Sequence, residues 1–365
     1  MAFFAKKQDY LGIDIGTSSI KVVELRNEAG RPKLVTYGFV EESADLIKND
    51  SPQSQSRIVA ILRKIFEQAH TTSDKAVAAL PSFAVFSSII SLPPMSEKDL
   101  LSAVRWEAKK FVPMPLEDMI LDWRAIKEPA VRPQPQTVSS SPSGQVDTPA
   151  KKPKDVKVLL TAAPKTLVRR YLDIAKAADL QLVSLETESF ALERSLIGND
   201  PSPVMIIDIG AIATDISVIV RGIPILNRSI DVGGETITKS IMNSLSVDHD
   251  RAEQFKRDFG MAADQANQQI PHTIEFIMGS IVNETRYCLN LYQGQGTREV
   301  EKVILSGGSA FLPQLPEYLS RTLNLKVFIG DPWARVIFPM ELKSALQEIG
   351  PRFSVAIGLA MRNIV

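Results

Sequence analysis

Cysteine is almost absent. Cys288 stands alone among 365 residues, so no internal disulfide can form, and a reducing compartment suits the chain. Histidine is nearly as scarce. His70, His249 and His272 lie far apart in sequence and indicate no metal cluster unless folding gathers them. Neither sign of charge is in surplus: Lys plus Arg and Asp plus Glu both number 42. That balance removes the basic field a nucleic-acid binder carries. No apolar run approaches the roughly 18 residues of a membrane span. The opening Met-Ala-Phe-Phe-Ala-Lys-Lys has two aromatics and two bases but lacks the apolar core of a signal peptide. It reads as a frayed terminus or as a touchpoint for a membrane or partner. With 44% hydrophobic and 23% charged residues, the composition is that of a globular protein of the cytoplasm, long enough for two domains.

Periodicity organises what is present. Residues 10–15 read as a buried strand, 20–25 as its hairpin partner and 33–41 as a third strand. Ile58, Ile61, Leu62 and Ile65 recur at helical spacing across 54–70, and 76–80 is a further short strand. Residues 85–92 form a strand ahead of Pro93 and Pro94. Ser96 and Asp99 resemble a capping box with Asp in place of the usual Glu. The helix that follows places Leu100, Val104, Ala108 and Phe111 on one face and stops at Pro113 and Pro115. Residues 128–155 shift sharply in composition, with six prolines, four serines and no aromatic residue. Such a segment buries too little apolar surface to offset its ordering entropy, so it is expected to be a disordered insertion or, alternatively, a boundary linker.

Past residue 200 the pattern restarts. Strand-like 204–209, Gly210 and strand-like 214–220 repeat what residues 11–25 show, about 194 positions on, and a third strand follows at 224–230. A long-range echo of this kind is the mark of a duplicated fold.

Three motifs carry chemistry. In the first, Asp14, Gly16, Thr17, Ser18, Ser19 and Lys21 form a tight hairpin with hydroxyls, exposed N–H groups and a following lysine, a turn suited to oxyanions. Its aspartate at a strand end suits a hydrated magnesium ion, which prefers oxygen ligands. Taken alone, a plain hairpin with a small-residue turn looks the same. The second motif, Asp208, Gly210, Thr214 and Asp215, repeats the arrangement, and two such hairpins gripping one polyphosphate are far more specific than one. The third is the pair Gly307 and Gly308 after strand-like 302–305, which lets a flat purine lie on the backbone. Gly233, Gly234 and Glu235 open an amphipathic helix whose first N–H groups and carboxylate suit a ribose or base. Either glycine pair by itself is equally a structural turn.

The order of two phosphate hairpins, a Gly-Gly turn and the C-terminal Ala356-Ile357-Gly358-Leu359-Ala360 resembles the superfamily of actin, hexokinase and chaperone ATPases. Within it, Arg105-Trp106-Glu107-Ala108-Lys109-Lys110-Phe111-Val112-Pro113-Met114-Pro115-Leu116 is similar to the PilM family of type IV pilus assembly proteins, in the branch shared with FtsA. Ala79-Leu80-Pro81, Leu92-Pro93-Pro94-Met95 and the stretch from Ile274 to Tyr287 carry the same likeness.

The resemblance implies an α/β, actin-like (ribonuclease H-like) duplicated fold with a small inserted α+β subdomain of SHS2 type. It divides the chain into 1–85, the insert 86–162, 163–200, 201–340 with a helical subdomain at about 240–295, and a returning C-terminal helix at 341–365. It implies ATP and magnesium, with nucleotide contacts at Asp14, Gly16, Thr17, Ser18, Ser19, Lys21, Asp208, Gly210, Thr214, Gly233, Gly234, Glu235, Gly307 and Gly308, and metal contacts at Asp14 and Asp208 through water. It also implies a partner, the N-terminal cytoplasmic tail of a PilN-like inner-membrane protein, docking beside the insert. The protein is then peripheral to the inner membrane through that partner.

Competing readings fare less well. A sugar or acetate kinase needs a further acidic base for the substrate hydroxyl, and none stands out. A chaperone needs a peptide-binding domain, and FtsA an amphipathic C-terminal tail longer than Met361-Arg362-Asn363-Ile364-Val365. A filament-forming cytoskeletal ATPase of the FtsA kind is the second reading. No water-activating group is evident, so hydrolysis is expected to be slow or absent. Trp106 and Phe111 either close the core of the insert or line a peptide groove.

Overall fold

The computed structural model describes residues 9–42, 51–126, 155–262, 269–294 and 298–365. The expected disordered insertion and the N-terminal Met-Ala-Phe-Phe-Ala-Lys-Lys lie outside the described residues, but for Asp155. The chain forms two compact units, one of Met1–Phe86 with Ala163–Val365 and a second of Ser87–Ala162.

The larger unit repeats one plan. Its first half holds β1 (Asp9–Ile15), β2 (Ser19–Glu28), β3 (Arg31–Glu41), α1 (Pro52–Ala69) and β4 (Lys75–Leu80). After the smaller unit, built of β5 (Phe86–Leu92), α2 (Glu97–Phe111), β6 (Met119–Ile126) and β7 (Val156–Pro164), come α3 (Lys165–Ala177), β8 (Gln181–Thr187) and α4 (Glu188–Leu196). The second half runs β9 (Val204–Ile209), β10 (Thr214–Val220), β11 (Ile223–Ile230), α5 (Gly234–Leu245), α6 (His249–Phe259) and α7 (Gln269–Gln293). It ends with β12 (Lys302–Ser306), α8 (Leu315–Leu323), β13 (Lys326–Ile329) and α9 (Lys343–Met361). The two sheets are ordered β3-β2-β1-β4-β8 and β11-β10-β9-β12-β13. In each, three antiparallel strands are followed by two parallel ones. The sequence echo is thus a repeat of topology.

Strand alternation decides where the acidic residues emerge. Along β1, Leu11, Ile13 and Ile15 point to the core built with α1 and α3, which contribute Ile58, Leu62, Ile65, Tyr171 and Ile174. Tyr10 points the other way, into the cluster with Phe353, Ile357 and Met361 of α9. Asp14 ends that second row. In β9, Met205, Ile207 and Ile209 face the core of the second half. Val204 and Ile206 face a cluster shared with Ala191 and Leu192 of α4 and Val355 and Leu359 of α9. Asp208 ends that row in turn.

α9 and α4 therefore lie where the two halves meet. A Cβ on Gly358 would stand 1.8 Å from the carbonyl oxygen of Ala191, so only glycine permits this crossing. Arg194 Nε donates to Gly358 O at 2.9 Å, and Glu186 accepts from both Arg194 and Arg362.

The smaller unit is a three-stranded sheet, β5-β7-β6, with α2. Ser96 caps α2 by accepting from Asp99 N at 3.3 Å. The capping box is altered, however. Asp99 is too short to reach back to the Ser96 backbone and accepts instead from the Ser96 hydroxyl at 2.6 Å. Leu100, Val104 and Ala108 are buried as their spacing predicts, but the row continues four residues on to Val112, and Phe111 is 46% exposed. Trp106 is 67% exposed. Neither aromatic closes a core.

Candidate functional site

The two hairpins open onto one cleft of about 1170 Å³ inside the larger unit. On the first side, Gly16 N donates to Ser19 O at 3.0 Å and closes the turn. Asp14 and Lys21 are cross-strand partners, and their buried side chains form an ion pair of 2.9 Å. On the second side, Gly210 N donates to Ala213 O at 2.9 Å. The residue facing Asp208 across the hairpin is Asp215. Gly307 (φ 83°) follows β12, and its backbone lies so close that an added Cβ would sit 2.7 Å from Asp208 Oδ1. A left-handed residue without a side chain is required there.

The structure brings Asp14, Gly16, Thr17, Ser18, Ser19, Lys21, Asp208, Gly210, Gly234, Glu235, Gly307 and Gly308 to the walls of this cleft. It does not bring Thr214 or Gly233 there. Thr214 is wholly buried and donates to Val232 O at 2.6 Å, bracing the turn that follows β11. Gly233 packs against Ala211, whose oxygen would be 2.6 Å from an added Cβ. The start of α5 is also not free to receive a ligand as expected. Gly234 N donates to Gly210 O at 2.9 Å and Glu235 N to Ala211 O at 2.7 Å, so these groups fix the second hairpin turn.

Several cleft residues escaped sequence reasoning. Glu188, the first residue of α4, is held by Ser82, whose N and Oγ donate to Oε2 at 2.9 and 2.6 Å. It is an acidic residue just past the carboxyl end of a parallel strand, the usual place for ligands in such sheets. Asp215 stands in the second motif but was given no contact there, although it occupies the position that Lys21 holds in the first hairpin. Lys256 and Glu253 on α6 are paired with each other and with Thr238. No linear signal marks them, because α6 reaches the cleft only through packing. Arg352 on α9 is equally silent in sequence. Of the histidines, His249 reaches the cleft wall. Its ring and the carboxylates of Glu235 and Glu253 offer atoms all within 4.8 Å of one another. Both carboxylates already have cationic partners, Lys239 and Lys256.

The electrostatics are one-sided. Eleven acidic side chains and four Lys or Arg side chains line the cleft. Burial, then the charges of Asp215 and Asp14, push Asp208 up to about 7. Burial raises Asp215 to about 6. Burial, followed by the charges of Asp215 and Asp14, holds Glu188 well above the usual carboxylate range. Asp215 Oδ1 is buried with no hydrogen-bond partner. A site that stacks carboxylates in low dielectric and leaves an oxygen orphaned fits a hard divalent cation.

A family model described as type IV pilus assembly protein PilM matches residues 12–141 and 144–364. A solved PilM-PilN type IV pilus biogenesis complex is 26% identical with a TM-score of 0.80, covering 98% of this chain and 98% of that one. Cell division protein FtsA of Bacillus subtilis is 25% identical over 358 residues, covering 88% of this chain and 78% of FtsA. MreB5 of Spiroplasma citri, solved bound to AMPPNP, is 14% identical with a TM-score of 0.53, covering 96% of this chain and 94% of that one. At that identity it shows the fold alone. The duplicated fold is the actin-like one, and the chain belongs to the PilM family of type IV pilus assembly proteins.

Proposed function

We propose that this protein binds Mg-ATP in the cleft and engages the cytoplasmic tail of a PilN-like inner-membrane protein, supporting pilus assembly. The observation that carries the nucleotide reading is the convergence of two Asp-Gly hairpins and a Gly-Gly turn on one cleft. The hydroxyls of Thr17, Ser18 and Ser19 and the backbone N–H groups of Thr17 and Ser18 suit phosphate oxygens, while Gly16 N is spent on closing the turn. A free polyphosphate is repelled by walls this acidic, so a cation has to accompany it. Asp208 and Asp215 would hold that cation, directly or through water, with Glu188 beside them. Asp14, already neutralised by Lys21, has less to offer it. When bound, magnesium would neutralise phosphate charge.

Glu188 supplies the carboxylate that the sequence did not reveal, and Ser82 fixes its orientation. Burial favours its neutral form, in which it cannot accept a proton. Slow hydrolysis is the consequence, in keeping with a protein that holds nucleotide more than it consumes it.

The partner reading rests on likeness to the chain solved in the PilM-PilN complex. Among the described residues, no helix is long and apolar enough to cross a membrane. We infer that attachment to the inner membrane comes through the partner.

The experiment is a thermal shift. Mg-ATP binds the native state only and should raise Tm. Asp14→Ala with Asp208→Ala should abolish the shift while leaving a folded protein. An equal shift in both proteins would sink the nucleotide assignment.

A further inference from the structure

We propose that Arg352 is a phosphate-binding residue of the cleft, which exchanges the carboxylate of Glu41 for an oxygen of the nucleotide's polyphosphate. The inference rests on the nucleotide reading above and adds a residue that neither hairpin contains.

Arg352 spans the gap between the two turns. Its stem passes the Gly-Gly turn, with Cγ 3.9 Å from where a Gly308 Cβ would stand. The preceding residue, Pro351, accepts from Gly307 N at 3.1 Å and from Ser306 Oγ at 3.2 Å, which fixes this part of α9 against that turn. The guanidinium lies on the opposite side. Nη2 donates to Glu41 Oε1 at 2.5 Å, and Cζ lies 5.3 Å from the Phe39 ring centroid. Glu41 is the register partner of Ser19, and the next residue donates from Glu42 N to Ser18 O at 2.9 Å. The head of Arg352 therefore sits beside the phosphate turn of the first hairpin while its stem sits beside the second half's glycines.

Two of the three other cations of the cleft are held fast by their neighbours. Lys21 is buried against Asp14. Lys256 is buried and bonded to Thr238, Glu253 and Gly234 O. Arg257 is 73% exposed and lies 3.7 Å from Glu253. The partner of Arg352, by contrast, is easily given up. The Glu41 side chain is 59% exposed, and an ion pair in water contributes little. A guanidinium fork on phosphate makes two parallel charge-assisted bonds and is the stronger arrangement. Removing Glu41 from the guanidinium costs little, and the phosphate gains a positive neighbour in an otherwise acidic cleft.

The test measures the affinity of a fluorescent N-methylanthraniloyl-ATP with magnesium for the full chain and for Arg352→Ala, Arg352→Lys and Glu41→Gln. Arg352→Ala should weaken binding at least tenfold, with Arg352→Lys in between because it keeps the charge but not the fork. Glu41→Gln should bind as tightly as the unaltered chain or more so, since its arginine is released in advance. Tm without nucleotide checks that each variant folds, and Arg352→Lys preserves the test if the alanine variant does not. Binding by Arg352→Ala or, failing that, Arg352→Lys within twofold of the unaltered chain would overturn the proposal. So would an equal loss in Glu41→Gln, which would make the pair a strap between the walls and not a phosphate contact. Failure of the unaltered chain to bind is a separate result, and it would overturn the nucleotide reading itself.

Discussion

Asp208 faces Asp215 across β9 and β10, at the positions where the first half of the repeat places Asp14 opposite Lys21. The duplication kept the hairpin and changed one charge. Cross-strand neighbours have Cβ atoms about 5 Å apart, so the first pair attracts and the second repels. The first half is self-neutralised, and the second is completed only by protons or by a cation.

Burial, with this repulsion added at Asp208, makes stability depend on pH. Asp208 sits near 7 in the folded protein and near its ordinary value in the unfolded chain, so the folded state carries a proton the unfolded state has lost. Its stabilising contribution is complete below about pH 4 and disappears as pH rises through about 7. Asp215, raised to about 6, acts in the same sense. Asp200, held down to about 2 by Lys302 and Ser202, acts oppositely, but only below about pH 4. Asp208→Asn should therefore raise Tm at pH 8 without nucleotide, by about 1–2 °C for each kcal/mol recovered, and change nothing at pH 4. A variant no more stable than the parent at pH 8 would show that Asp208 is not strained by its neighbours.

The first-half pair gives the opposite experiment. Lys21→Ala leaves Asp14 buried without its partner, and the cost should be about 3 kcal/mol or more in urea unfolding. Lys21→Met combined with Asp14→Asn removes both charges and should recover most of that loss. Equal destabilisation in the single and double variants would assign the effect to packing, not to charge.

Much of this was legible in the sequence because the relevant signals are local. The strands, α1 and both hairpin turns follow from period-two and helical spacing and from Gly16 and Gly210. Residues were misread where tertiary contact overrides the local pattern. Thr214 looks like a phosphate hydroxyl but is spent on Val232 O, and Gly233 is pressed on Ala211. Phe111 has helical spacing but yields its place to Val112. Glu188, Lys256 and Arg352 come from three helices far apart in sequence, and nothing linear joins them.

Hydrolysis should depend on Glu188. Turnover is expected far below the roughly 10 s⁻¹ of a typical enzyme. It should rise with pH through the range where this carboxyl loses its proton, a range that burial, then the charges of Asp215 and Asp14, move upward. Glu188→Gln should remove the activity and its pH dependence while leaving ATP affinity within about threefold, a change of under 1 kcal/mol. Turnover surviving in Glu188→Gln would move the water-activating role elsewhere. Steady turnover near the typical rate would exclude a protein that holds nucleotide more than it consumes it.

The partner's tail can be placed by the smaller unit's surface. Leu101, Trp106, Phe111, Met114 and Ile120 are all exposed there. Trp106, at 67%, makes a cation–π contact with Lys109, whose Nζ is 5.5 Å from the ring centroid. A group of large apolar side chains exposed on one unit gains free energy when something covers it and marks an interaction surface. An extended tail gains main-chain hydrogen bonds at a strand edge and selectivity from a few apolar side chains, and this unit offers both. Trp106→Asp should therefore weaken binding of a PilN-like N-terminal peptide at least tenfold, about 1.4 kcal/mol. Because Trp106 packs in no core, the same variant should keep the parent's Tm within about 2 °C, as other surface substitutions do. Its affinity for Mg-ATP should be unchanged. Peptide crosslinks confined to residues 240–295 would refute this placement even with binding confirmed, and full-strength binding by Trp106→Asp would do the same.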